Sequence, residues 1–87
     1  MSLSASKREK ISANILSMVD ERGPSKTICP SDVARALFPD SWRDEMDNVR
    51  TVADGLVQRG LIEVTQKGKA IASAADAHGP IRLRKKA

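Results

Sequence analysis

Aromatic residues are nearly absent from this sequence: one Trp, one Phe and no Tyr in 87 residues. Sequence-tolerant binding of single strands relies on rows of aromatic rings that stack on bases, so the sequence disfavours that class of function. Cysteine is as scarce. Cys29 stands alone, forms no internal disulfide, and fits a reducing compartment, so a cytoplasmic location is expected. One Cys and one His fall short of a tetrahedral zinc site, and no cofactor is expected. No apolar run approaches the roughly 18 residues that cross a bilayer, so no membrane association is expected. No charged segment followed by an apolar one opens the sequence, so no secretion signal is expected. Gly60, Gly68 and Gly79 are isolated and build no phosphate-cradling loop.

What is present is the composition of one small folded unit. Hydrophobic residues make up 40% of the chain and charged residues 30%, with a formal net charge of +4. That balance argues against intrinsic disorder, and the length allows a single domain over residues 1–87. The charge is unevenly divided. Residues 1–57 sum to −1, whereas residues 58–87 sum to +5, so an anionic partner meets the last third first.

Hydrophobic spacing divides the chain into elements. The first four residues are unpatterned, 1–5 are expected to fray, and Ser6-Lys7-Arg8-Glu9 reads as a capping box. Ile11, Ile15, Met18 and Val19 form one helical stripe that Gly23-Pro24 ends. Lys26-Thr27-Ile28 suits a brief strand or an extended connector. Pro30 opens a helix of about two turns carrying Val33, Ala34, Leu37 and Phe38, and Pro39 stops it.

Asp40-Ser41 offers a cap for a longer helix starting at Trp42. Its core stripe is Trp42, Met46, Val49, Ala53, Leu56 and Val57, and Gly60 follows its end. Trp42 is expected to anchor the core. At Leu61–Gln66 the period changes to two, Lys67-Gly68-Lys69 forms a turn, and Ile81–Arg84 alternates again. Residues 70–78 are Ala-rich and read either as a loop or as a short strand followed by a loop. Residues 85–87 read as a solvated basic tail.

Helix, extended piece, short helix, long helix and hairpin in that order predict a mainly α winged helix-turn-helix fold. Ile62, Val64, Ile81 and Leu83 close the open side of the three-helix core. Several segments together also resemble a family of small bacterial winged-helix proteins filed as a domain of unknown function. They are the stretch from Lys26 to Leu37, Trp42-Arg43, Val49-Arg50, Thr65-Gln66-Lys67-Gly68 and Gly79-Pro80-Ile81-Arg82-Leu83. The resemblance implies a bacterial protein of this fold and supplies no activity.

The function expected from these residues is non-catalytic binding of duplex nucleic acid through a basic wing and the last strand. Its candidate contacts are Lys67, Lys69, Arg82, Arg84, Lys85 and Lys86, with Arg43 and Arg50 flanking the long helix. The alternative for the wing cations is that Lys and Arg on edge strands deter sheet-to-sheet association. The long helix argues against deep insertion, because the side opposite its core carries Asp44, Asp47 and Asp54 beside Asn48, Thr51, Gly55 and Gln58. Arg50 is expected to pair with Asp54 and Asp47 on that surface. A protein-interaction adaptor on the same fold is the competing function, and nothing in the chain supplies an additional helix for a dimer. An enzyme is disfavoured. Cys29 before a helix and His78 in a loop are read as structural residues.

Overall fold

The computed structural model describes residues 3–86; Met1, Ser2 and Ala87 lie outside them. Three helices come first: α1 (Ala5–Arg22), α2 (Pro30–Leu37) and α3 (Met46–Gln58). Three strands follow: β1 (Ile62–Gln66), β2 (Lys69–Ile71) and β3 (Arg82–Lys85), all antiparallel in the order β2-β1-β3. The protein is mainly α with a β wing.

Helix α1 begins earlier than the capping-box pattern predicts. Ser4 is the cap, its hydroxyl accepting the Lys7 N–H at 3.1 Å, so Ser4 and Ala5 belong to the helix start rather than to a frayed end. Ile11, Ile15 and Val19 turn inward as expected, and Met18 packs at the edge. At α2 the reciprocal cap is unusual. The Asp32 carboxylate accepts the Cys29 N–H at 2.9 Å while Pro30 occupies the first turn, where a missing N–H costs no helical bond.

The third helix differs most from expectation. It starts at Met46, and Asp40-Ser41 does not cap it. Residues 39–45 form successive turns, with Ser41 N–H donating to Phe38, Asp44 N–H to Ser41 and Glu45 N–H to Trp42. The tighter winding rotates Trp42 away from the α3 stripe, so Trp42 is half-buried at the edge instead of anchoring the core. Val52 takes a buried place that the spacing missed, beside Val49, Ala53 and Leu56. The end matches expectation. Gly60 at φ 74° lets its own N–H reach Val57 O and the Leu61 N–H reach Leu56 O.

The predicted hairpin is a three-stranded sheet. Lys67 and Gly68, both at positive φ, make a two-residue turn from β1 into the short β2, which resolves the uncertain start of residues 70–78. β1 is central, and its Thr65 is buried although the alternation places it outside. The expected strand at Lys26–Ile28 reduces to one bridge, Ile28 exchanging both backbone hydrogen bonds with Leu83 at 2.8 Å. The last residues are less free than a solvated tail: Lys85 belongs to β3, and the Lys86 N–H donates to Leu61 O at 3.3 Å. Ile62, Val64, Ile81 and Leu83 close the helical core as expected, joined by Ile28 and Ala74.

Candidate nucleic-acid interface

Two flanks and a ridge of α3 follow from its helical spacing. Setting Thr51 at 0°, Arg50 and Asp54 fall near −100° and −60°, and Arg59 and Val52 near +80° and +100°. Between them, within about 40° of Thr51, lie Asp47, Gln58 and Gly55. Asp47, Thr51, Gly55 and Gln58 are all exposed, and they form the free ridge of the helix.

On the negative flank the β2–β3 connection folds back onto α3 and is stapled there. The Arg50 guanidinium donates to Ala77 O and Gly79 O, each at 3.0 Å, and to Ala74 O at 3.4 Å. The Asp54 carboxylate accepts from the Ser73 hydroxyl and from the N–H groups of Ala74 and Ala75. Gln66 on β1 donates to His78 O and seals the far side. Arg50 and Asp54 therefore do not pair with each other as the i,i+4 spacing suggests; each satisfies loop backbone, the C=O and N–H of the buried Ala74 among it. Three carboxylates do not stand together on the free ridge. Asp44 lies in the turn before α3 and Asp54 is covered by donors, which leaves Asp47.

The eight candidate cations separate in the same way. Arg82 donates to the Thr27 hydroxyl at 2.9 Å and to the Cys29 sulfur at 2.6 Å. Arg84 pairs with Glu63 at 3.4 Å, and Lys85 pairs with Asp20. Arg43 stacks its guanidinium 4.9 Å from the Trp42 ring, with Arg35 on the same ring at 4.2 Å. Phe38 is treated alike by Lys7 and Lys10, at 5.4 and 5.5 Å, so neither aromatic ring is a bare apolar patch. Among the described residues Lys67, Lys69 and Lys86 make no side-chain ion pair or hydrogen bond. Lys67 and Lys69 stand in a run of four exposed residues at the wing turn.

Two cations outside the expected set sit on the positive flank. Arg8 of α1 and Arg59 after α3 line a groove of roughly 280 Å³ between the helices, with Ser12, Thr51 and Gly55. The sequence signal for it is the glycine within an otherwise good helical pattern; the pairing of α1 with α3 needs the fold. At the entry of α3, Glu45 accepts from Lys7 Nζ, the neighbour of Arg8 on α1, and from Asn48 Nδ2, both at 2.8 Å. Those two donors hold its carboxyl below the usual glutamate range.

Cys29 and His78 occupy separate settings, the thiol against Arg82 and the His78 carbonyl against Gln66. Among the described residues no three of His, Cys, Asp and Glu gather as a metal site, and no helix is long and apolar enough to cross a membrane.

Fold and surface together define a small mainly α domain with a β wing, its β2–β3 connection stapled onto the third helix. Residues 8–86 match the family described as a protein of unknown function (DUF3253), and the chain belongs to that family. No curated protein matches the chain.

Proposed function

We propose that this protein is a non-catalytic winged-helix module that holds duplex nucleic acid, the wing turn leading and the free ridge of α3 following. The observation that carries this reading is the state of Lys67 and Lys69. Lys67 lies in the two-residue turn and Lys69 opens β2 beside it, both exposed and without an anionic partner among the described residues. Arg82, Arg84 and Lys85 are each held by a neighbour. A free lysine releases counterions from phosphate at full value, whereas a paired one first gives up its partner. The contact expected of the wing and last strand therefore narrows to the turn, with Lys86 and Arg43 as peripheral cations. Arg50 stays with the loop. Thr51 and Gln58 on the ridge carry groups able to meet base edges.

Titration of a duplex against salt tests the proposal. Each phosphate contact contributes about 0.9 to the logarithmic salt slope, so Lys67→Gln with Lys69→Gln is expected to flatten it by nearly 2. Binding should weaken equally on unrelated sequences, and Arg82→Gln with Arg84→Gln should do less. An unchanged slope in the Lys67/Lys69 variant discards the wing turn.

No duplex binding at low salt transfers the weight to a protein-interaction adaptor. That reading is favoured by an apolar groove of roughly 370 Å³ lined by Leu16, Val19 and Leu61, the last a large hydrophobic side chain left 37% exposed.

A further inference from the structure

Gly55 lies in the interior of α3, where glycine is the least suitable residue after proline. Its backbone is not in the left-handed region, and apart from its chain neighbours and the helix's own backbone a Cβ placed there meets nothing within 4 Å among the described residues. Neither local conformation nor internal packing accounts for it. What the missing side chain does is open the groove between α1 and α3. The floor there is apolar, from Val52 and Leu56, and Ser12 and Thr51 also line it, the Thr51 hydroxyl donating back to Asp47 O at 2.9 Å. Arg8 and Arg59 stand at its margin, neither with a side-chain partner among the described residues, and no carboxylate lines it.

We infer that this groove is a second backbone site for the same duplex, seating a phosphodiester against Gly55 with Arg8 and Arg59 as its cations. The inference rests on the duplex reading and adds to it. A helix laid in the major groove has a phosphate strand on each side. Gln66, next to the wing turn, donates to the same loop that Arg50 holds, which puts the turn toward the Arg50–Asp54 flank, and the Arg8–Arg59 groove lies on the opposite flank. Two arginines beside the Ser12 hydroxyl match the fork geometry that phosphate oxygens accept, and a helix surface without a Cβ at Gly55 lets a sugar–phosphate chain approach the backbone. The ridge between the flanks carries Asp47 as its carboxylate, so the attractive charge is at the margins.

Three variants of the full chain test this with one duplex across about 50–200 mM salt. Arg8→Gln with Arg59→Gln is expected to shrink the fall in affinity over that range about tenfold, the loss of two contacts. Gly55→Ala should raise the melting temperature while leaving the groove open, and Gly55→Leu should fold but bind the duplex at least several-fold more weakly. Backbone amide signals of Gly55 and Arg59 should shift when duplex is added to the wild type. If the Lys67/Lys69 variant loses affinity while the Arg8/Arg59 and Gly55→Leu variants do not, the second site is wrong and the duplex reading stands. If wild type binds no duplex, both fall. If a poly-glutamate peptide binds with the same dependence on Arg8 and Arg59 and displaces the duplex from the Gly55 signal, the groove belongs to an acidic protein segment and the inference is overturned.

Discussion

Glu45 joins the first turn of α1 to the entry of α3 through Lys7 and Asn48, and this makes it the residue with a defined pH signature. Its carboxyl titrates below the ordinary value because both donors favour the charged form. A lowered native value means that the stabilisation is complete above the unfolded value of about 4.3 and fades as pH falls through the native one. Glu45→Gln is therefore expected to lose up to about 1 kcal/mol at pH 7, a difference that closes in acid. Urea unfolding at pH 7 and pH 3 measures it; an equal difference at both values refutes the account. Gly68 offers a separate check of the wing turn. At φ 81° an L-residue is strained, so Gly68→Ala is expected to cost about 1–2 kcal/mol in the same assay. Caps were only partly legible at this scale. Ser4 and Ser6 are chemically equal choices, and which one caps depends on where α1 meets its neighbours, not on the hydroxyl.

The β2–β3 connection is the element that the sequence left open, and the reason is physical. Its Ala-rich residues carry no period, and its order comes from Arg50 and Asp54 on another element. The same pair read on α3 alone looks like an i,i+4 ion pair. Asp54→Ala leaves the N–H groups of Ala74 and Ala75 without their acceptor, and with Ala74 fully buried the expected loss is about 1–3 kcal/mol. Hydrogen exchange at residues 73–79 should accelerate in Asp54→Ala and in Arg50→Ala alike. The double mutant should lose less than the two losses added, because both side chains hold one loop. Strict additivity, or protection unchanged in the loop, contradicts the staple. α1, β1 and β3 were legible because their periods are clean apart from the buried Thr65, whereas β2 lies at the edge of the unpatterned stretch. The entry of α3 was not, because Trp42 and Met46 continue a helical stripe in sequence while the intervening turns wind more tightly.

At the scale of the molecule, the uneven charge sets a limit on what the wing can do. Of the seven Lys and Arg in residues 58–87, Arg84 is spent on Glu63, already counted in the +5, and Lys85 on Asp20 across to α1, outside that count. Charge counting located the basic third correctly and overstated its free charge, since ion pairs between distant elements are invisible along the chain. It also passed over Arg8 and Arg59, which lie far apart in sequence and line one groove.

The bridge between Ile28 and Leu83 has a consequence for how the chain reaches this state. Ile28 precedes α2, whereas Leu83 follows every helix, so fifty-five positions separate two residues that share both backbone hydrogen bonds. Closing that loop demands entropy before any contact rewards it, and local helical turns form far sooner. During synthesis the three helices leave the ribosome with Ile28 and their inner faces open on one side. The domain completes cooperatively only once β3 emerges and lies between Ile28 and β1.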